Sequence, residues 1–177
     1  RARDYLPTRP YYLLQLQLMA RRAGPIRCMA DLNMPRPGGG RWKVGVLGSS
    51  TADSYAVKRF ETKSVEVVRF DGATNAMTVV RNGQIDATLQ DLPAASFYGR
   101  QDEFASDLIL AGAAEGSVYV VMYVRKDEAG LRDALDDAIG KAIASGELER
   151  ITRKHGIWSE AQSVLSGWKR VAEAEGE

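Results

Sequence analysis

The sequence predicts an α/β fold in which a mostly parallel sheet is flanked by helices. The main observation is that residues 43–100 alternate strand patterns and helix patterns three times. Alternation of this kind favours parallel strands joined by right-handed crossover helices. The last third is helical, with apolar residues spaced along one face from Leu131 to Ile143. A chain of 177 residues, 45% of them hydrophobic, is long enough to bury a core beneath these helices.

Each element has its own signal. The strand patterns in this region are "RWKVGVLG" (41–48), "SVEVVRF" (64–70) and "IDATLQ" (85–90), and the helix patterns are "SSTADSYAVKRF" (49–60), "ATNAMTVVRNG" (73–83) and "LPAASFYGR" (92–100). Gly83 falls where a left-handed helix end is needed, and Pro93 falls in a first helical turn. The alternation of leucine and glutamine in "LLQLQLMA" (13–20) predicts a half-buried strand. Two further strands are predicted, at "DLILAG" (107–112) and "SVYVVMYVRK" (117–126).

Composition excludes several classes of function. A single cysteine, Cys28, and a single histidine, His155, exclude a disulfide framework and leave no supported nucleophile–base pair or metal site. We therefore expect no catalytic residues, no metal and no cofactor. Residues 1–43 carry a charge of +7 and the remainder −6, but the basic stretch lacks a nucleic-acid-binding motif. The basic stretch is either a solvated face or a face for a missing partner. No apolar run in the sequence is long enough to span a bilayer.

Three hydroxyl side chains, Ser49, Ser50 and Thr51, follow the first of the parallel strands and begin the next helix. Helix N-termini present free N–H groups and a partial positive charge, so they suit a carboxylate or phosphate. The alternative is simple capping, because Ser50-x-x-Asp53 fits a relaxed capping box. The two interpretations are compatible, since one hydroxyl can cap the helix while its neighbour contacts a ligand.

The strand pattern at residues 85–90 ends on Gln90 and is followed by Asp91. Asp91 can cap the next helix, which would make Pro93 its second residue, or it can lie one position outside the helix and face a ligand. Ligands collect beyond the carboxyl ends of strands in open α/β sheets, so Asp91 and the hydroxyl group are expected at the same edge. A carboxylate beside an anion-binding helix start would suit a zwitterion.

Four segments resemble, in order and spacing, the polar-amino-acid class of bacterial extracytoplasmic solute-binding proteins, known as family 3. They are "KVGVLGSSTADSYA", "VEVVRFDGATNAMTVVRNGQIDATLQDLPAASFY", "YVVMYVRKDEAGLRDALDDAI" and "IASGELERITRKHGIW". The resemblance implies a type 2 periplasmic-binding fold of two α/β lobes joined by two strands. It implies that residues 1–42 hold the end of lobe 1 and a crossing strand, 43–112 lobe 2, 113–158 the return strand and last helices of lobe 1, and 159–177 a helical extension.

The same resemblance implies roles for individual residues. Ser50 and Thr51 would bind the α-carboxylate of an amino acid, and Asp91 its α-ammonium group. Ser49 and Gln90 are adjacent, secondary contacts. The family's opening part of lobe 1, with an aromatic wall and a carboxylate-binding arginine, has no counterpart in this chain. We therefore expect the chain to contain a complete second lobe and part of the first, and to bind free amino acid weakly unless the missing part is supplied.

The resemblance implies a solute-binding domain of an ABC importer that closes about a hinge around a polar amino acid. Its partners would be the amino acid and the importer's permease, either separate or fused to the chain. It would lie in the periplasm or another extracytoplasmic space, contact the membrane only through the permease and bind no nucleic acid. The alternatives are a cyclohexadienyl dehydratase-like enzyme on the same fold, the sensory input domain of a receptor kinase, and the effector domain of a transcription regulator.

Overall fold

The computed structural model of the chain describes residues 4–60 and 64–169. The chain divides into two compact units: unit 1 comprises Arg1–Leu14 with Ser117–Glu177, and unit 2 comprises Gln15–Gly116. The strands are β1 (Tyr5–Pro7), β2 (Tyr12–Arg21), β3 (Trp42–Leu47), β4 (Val65–Phe70), β5 (Ala87–Asp91), β6 (Leu108–Val120) and β7 (Tyr123–Arg125). The helices are α1 (Thr51–Phe60), α2 (Ala73–Arg81), α3 (Leu92–Tyr98), α4 (Asp102–Ala105), α5 (Ala129–Ala144) and α6 (Glu147–Lys154), with 3-10 helices at Met29–Asn33 and Glu160–Leu165.

Unit 2 is built on a five-stranded sheet with the order β4-β3-β5-β2-β6. β3 lies in the middle of three parallel strands, since it pairs in parallel with both β4 and β5. β2 runs antiparallel to β5, so the sheet as a whole is mixed. The α/β fold with parallel crossovers predicted for residues 43–100 is therefore confirmed, and β2 extends the parallel part on one side.

Two hydrophobic clusters cover opposite faces of this sheet. Because successive side chains of a strand point to opposite faces, Leu18 and Met19 of β2 belong to different clusters. α1 packs on the Leu18 side through Ala52, Ala56 and Phe60. The helices α2, α3 and α4 contribute Met77, Val80, Ala95 and Phe104 to the other side. The chain moves outward from β3 to β4 and then back past β3 to β5, so two right-handed crossovers place α1 and α2 on different faces.

The prediction that β2 is half-buried is wrong, because its glutamine face is buried as well. Gln17 is 3% exposed, and its Nε2 donates to backbone carbonyl groups of Leu18, Ala111 and Gly112 at 3.0–3.3 Å. Gln15 Nε2 donates to the carbonyl oxygen of Ala114 at 3.4 Å. A long amide can satisfy neighbouring main-chain carbonyl groups, so a polar residue in an alternating pattern does not have to face water.

The two strands predicted between residues 107 and 126 form one long strand and one short strand. β6 runs without interruption for 13 residues and includes Gly112 and Gly116, both with positive φ. At Gly112 a Cβ atom would lie 2.8 Å from the Cβ of Cys28, so the close approach of that segment requires glycine. The two glycines accommodate close neighbours within β6 and do not end the strand.

Unit 1 contains the two-stranded antiparallel sheet β1–β7 and the helices α5 and α6. The side-chain amide of Gln162 accepts from Leu13 N and donates to Leu13 O, both at 2.8 Å. The predicted apolar face of α5 is only partly covered, because Ile139 is buried whereas Leu131 is 49% exposed. Within the predicted helical extension, residues 160–165 form a short 3-10 helix, and residues 170–177 lie outside the described residues. None of the described helices combines the length and apolar character needed to cross a membrane.

Candidate ligand-binding site

The carboxyl ends of β3 and β5 meet at one edge of the sheet, because these two parallel strands are neighbours. β3 ends at Leu47 and β5 ends at Asp91. A cavity of about 60 Å³ lies at this edge, lined by Leu47, Ser50, Ala52, Ala73, Gln90, Asp91 and Ala94. One water needs roughly 10–15 Å³ of such a volume, so the cavity has room for several waters or for the polar head group of a small ligand.

The first turn of α1 is closed by reciprocal hydrogen bonds. Ser50 Oγ accepts from the N–H of Asp53 at 3.1 Å, and Asp53 Oδ2 accepts from the N–H of Ser49 at 3.0 Å. The capping interpretation of Ser50-x-x-Asp53 is therefore confirmed, with the return bond displaced to Ser49. As a cap, Ser50 Oγ is an acceptor, which leaves its own O–H as a donor for a ligand carboxylate.

A bidentate ion pair with Arg69 at the end of β4 fixes this turn. Arg69 Nη2 and Nε lie 3.0 and 3.1 Å from the carboxylate oxygens of Asp53. Together with the Ser49 N–H, the Arg69 guanidinium lowers the pKa of Asp53 below its ordinary value. Ser49 itself has φ of 60°, a left-handed conformation that a non-glycine residue adopts rarely. Sequence patterns missed Arg69, because alternation predicts that it points away from the core but not which carboxylate it meets.

The hydroxyl groups differ in their access to the cavity. Ser50 lines it, whereas Ser49 and Thr51 are absent from the lining. Thr51 and Ala52 are the first two residues of α1, and their N–H groups have no acceptor within the helix. Ala52 lines the cavity, so the start of the helix lies beside the Ser50 hydroxyl. The small apolar residues of the lining, such as Ala52 and Ala94, carry no chemical signal in the sequence.

Asp91 occupies the cap position of α3 with its backbone, but its side chain makes no capping hydrogen bond. Pro93 is accordingly the second helical residue, as one of the two sequence alternatives required. Asp91 Oδ1 is buried, and no described residue donates a hydrogen bond to it. Burial raises the pKa of Asp91 above its ordinary value. Asp91 as a whole is only partly buried, so its carboxylate has one oxygen without a donor and remains accessible, which suits it to receive a cationic group.

Gln90 and Asp86 have structural partners of their own. Gln90 is 3% exposed and lines the cavity, while its Nε2 donates to Thr88 Oγ1 at 2.7 Å. Asp86 precedes β5, at the end of the strand opposite to Asp91, and pairs with Arg36 at 3.0 Å. Asp86 Oδ2 also accepts from Lys43 N at 2.8 Å. Asp86 therefore belongs to the support of the sheet and not to the cavity.

We expect Ser50→Ala to lower the free energy of unfolding by about 1 kcal/mol, because the Asp53 N–H loses its acceptor. Urea denaturation followed by circular dichroism measures the change. Ser50→Thr should restore most of the stability, and Ser54→Ala, which removes an exposed hydroxyl in the same helix, is the matched control. Equal stability of the Ser50→Ala and Ser54→Ala variants would show that the cap contributes nothing.

Comparison with known proteins concerns the chain as a whole and not the individual residues of this site. No protein-family model matches the chain. The chain is 30% identical over 118 residues to the histidine-binding periplasmic protein of Salmonella typhimurium, an alignment covering 64% of the chain and 45% of that protein. It is 28% identical over 152 residues to the lysine/arginine/ornithine-binding periplasmic protein of Escherichia coli, covering 81% of the chain and 55% of that protein.

A solved structure shows the same fold. The amino acid ABC transporter substrate-binding protein AbpA of Streptococcus pneumoniae, crystallised with L-arginine, superposes with a TM-score of 0.66 at 23% identity. The match covers 90% of this chain and 65% of that protein. The chain thus spans about half the length of the curated relatives it matches. Its homologues are amino acid-binding periplasmic proteins, which confirms the resemblance and the fold predicted from the sequence.

Proposed function

We propose that this chain is the part of an ABC importer's solute-binding protein that holds the ionised head group of a polar amino acid. The observation that carries the proposal is the Asp91 carboxylate, buried at Oδ1 without a donor and lying beside the first turn of α1. In this proposal the α-ammonium group binds Asp91. The α-carboxylate accepts hydrogen bonds from the Ser50 hydroxyl and the main-chain N–H groups of Thr51 and Ala52.

The chemistry of the two ends supports this assignment. A charge-assisted hydrogen bond from an ammonium group to a carboxylate contributes roughly 1.5–3 kcal/mol, about twice as much as a neutral bond. A helix start favours a negative charge through its free N–H groups and its dipole. Asp91 and Ser50 line a single cavity, so one zwitterion could satisfy both. Gln90 and Ser49 lie next to these groups in sequence and would be secondary contacts, of which only Gln90 lines the cavity.

The relatives suggest which amino acids to test. Those named above bind histidine, or lysine, arginine and ornithine, and AbpA was crystallised with L-arginine. These names supply no side-chain specificity for the present chain, but they make cationic amino acids the first choice. The relatives are binding proteins and not enzymes, which supports a role in which the solute is bound and released unchanged. Binding would follow the two-lobe hinge closure that the resemblance implies.

The partner and location follow from the same proposal. An importer's binding protein delivers its solute to a permease, and the relatives named for their location are periplasmic. We therefore place the chain outside the cytoplasm, in contact with the membrane through the permease. A more specific form of this proposal is that the permease is fused to the chain. The reading frame containing this chain decides it, because a fusion would continue into apolar helices of about 20 residues each.

The test is a titration of the complete 177-residue chain with amino acids and with analogues that lack one ionised group. L-Arginine, L-lysine and L-histidine should bind in the millimolar range, since the cavity holds only a head group. Agmatine, which is arginine without its carboxylate, should bind about tenfold more weakly, because the helix start loses its anion. Agmatine binding as tightly as L-arginine would contradict the proposed role of Ser50 and the helix start.

A further inference from the structure

An open depression of about 330 Å³ lies in unit 2, at the edge of the sheet away from Asp91. Its lining comprises Arg21, Arg22, Ala23, Arg81, Ser106 and Asp107. Arg21 ends β2, and the preceding residue, Ala20, pairs with Ala87 at the beginning of β5. Because Asp91 lies at the other end of β5, the depression is separate from the amino acid cavity.

Two of the three arginines are held in place by main-chain acceptors. The Arg22 guanidinium donates to three backbone carbonyl groups, those of Ala105, Ser106 and Leu108, at 3.0–3.3 Å. Arg81 Nη1 donates to the carbonyl oxygen of Glu103 at 3.1 Å and to its carboxylate at 3.3 Å. These bonds fix both side chains at the depression and leave some of their five N–H donors for other acceptors.

Arg21 differs from the other two. Its Nε is buried, and within residues 4–60 and 64–169 nothing accepts a hydrogen bond from it. The guanidinium lies over Gly83, where a Cβ atom would stand only 2.8 Å from Arg21 Nη1. Glycine at this position, with φ of +76°, therefore leaves the space that the guanidinium occupies. Buried N–H groups are nearly always paired, so the Arg21 guanidinium keeps an unused donor beside the depression.

The charges around the depression do not balance. The lining contains three arginines and Asp107, and the Glu103 carboxylate pairs with Arg81, so one positive charge remains. A cation at the C-terminus of a helix is favoured by the helix dipole, and this accounts for Arg81 as the last residue of α2. The dipole does not account for Arg21, which lies at the end of a strand.

We infer that this depression is a binding site for a small anion that carries phosphate or carboxylate groups, with Arg21 as its principal contact. The planar guanidinium presents paired N–H donors that match two oxygens of such a group. The depression, at about 330 Å³, is larger than a single monovalent ion needs and has room for an anion with two charged groups. The inference is independent of the proposed amino acid site, which lies at the opposite edge of the sheet.

The test is a calorimetric titration of the complete chain with inorganic pyrophosphate at low ionic strength, where charge interactions are weakly screened. Arg21→Gln should weaken binding about tenfold or more, equivalent to about 1.4 kcal/mol. Arg100→Gln makes the same charge change at an exposed arginine of unit 2 and should alter binding by less than about twofold. Arg21→Lys keeps the charge without the planar donor pair and should give an intermediate loss, which also covers a failure of Arg21→Gln to fold.

Three results would overturn the inference. The first is no detectable pyrophosphate binding by the unmodified chain. The second is an equal loss in the Arg21→Gln and Arg100→Gln variants, since binding would then reflect diffuse surface charge. The third is binding to phosphatidylglycerol vesicles in a flotation assay without binding to pyrophosphate, which would assign the arginines to a lipid surface and not to a small anion.

Discussion

Replacing Asp91 by asparagine should weaken amino acid binding by one to two orders of magnitude, because the ammonium group loses its charged partner. A charge-assisted bond of roughly 1.5–3 kcal/mol corresponds to a loss of about 10- to 150-fold. Asparagine keeps the shape of the side chain, so the cavity of about 60 Å³ should remain. The titration with L-arginine measures the effect, and binding by the variant should fall below detection if the unmodified chain binds in the millimolar range.

The control for this variant is Asp102→Asn, which removes an exposed negative charge from the same unit. It should leave the affinity for L-arginine unchanged within about twofold, because long-range charge effects at the surface are small. If the two variants lost affinity equally, Asp91 would act only through the net charge of the unit. Its assignment as the ammonium contact would then be wrong.

Replacing Asp91 by asparagine should also stabilise the chain when no ligand is present. Burial raises the pKa of Asp91, so its contribution to stability is present below its unfolded pKa of about 3.9 and is lost as the pH rises through its folded pKa. At neutral pH, Asp91→Asn should therefore unfold at a higher urea concentration than the unmodified chain. The difference should shrink as the pH is lowered towards 4. The lowered pKa of Asp53 is common to both proteins and does not affect their difference.

A lower stability of the Asp91→Asn variant at neutral pH would contradict this account, since the carboxylate would then make a stabilising contact. The expected result instead describes a residue retained for binding at some cost to the unliganded fold. Such residues are typical of functional sites, where a side chain lacks a partner within the protein and the ligand supplies it.

Trp42→Ala should produce the largest loss of stability, about 3–5 kcal/mol, because it empties a large volume in the cluster between α1 and the sheet. Trp42 is 3% exposed at the beginning of β3, and its Nε1–H donates to the carbonyl oxygen of Met34 at 2.8 Å. Urea denaturation measured by far-ultraviolet circular dichroism gives the change. Trp42→Phe keeps most of the apolar contact and loses the hydrogen bond, so it should cost less than half as much.

Phe97→Ala is the matched control, because Phe97 is an aromatic residue of the same unit that is 62% exposed. It should change the free energy of unfolding by no more than about 0.5 kcal/mol. Similar losses in Trp42→Ala and Phe97→Ala would mean that the core does not lie where β3 meets α1. The parallel arrangement of β3 with its neighbours would then lose its main energetic support.

The sequence predicted the parallel part of the sheet well because its signals are local. Alternating apolar residues identify β3 and β4, and the turn residues at Gly83 and Pro93 mark helix boundaries as expected. Prediction from the sequence failed where contacts with distant parts of the chain decide whether a side chain is buried. The burial of Gln15 and Gln17 depends on carbonyl groups of β6, which lie nearly a hundred residues further along the chain.

The candidate site was predictable in outline but not in detail. The strand order brings Asp91 and the start of α1 to one edge, and this follows from topology alone. The Ser50-x-x-Asp53 pattern predicted that Ser50 caps the helix, and the structure uses its Oγ as a cap acceptor, but no pattern showed that Ser50 also lines the cavity. Only atomic positions distinguish the two alternatives for Asp91, because its backbone takes the cap position while its carboxylate does not cap the helix.

Asp91 and the start of α1 are proposed to bind an amino acid head group together. The most direct test is a residue-resolved nuclear magnetic resonance titration of the isotope-labelled chain with L-arginine. We predict that the amide resonances of Ser50, Thr51 and Asp91 shift with a common affinity, and that the Asp91→Asn variant loses these shifts. If those resonances stayed fixed while signals elsewhere in the chain moved, the amino acid would bind at a different place and the claim would be wrong.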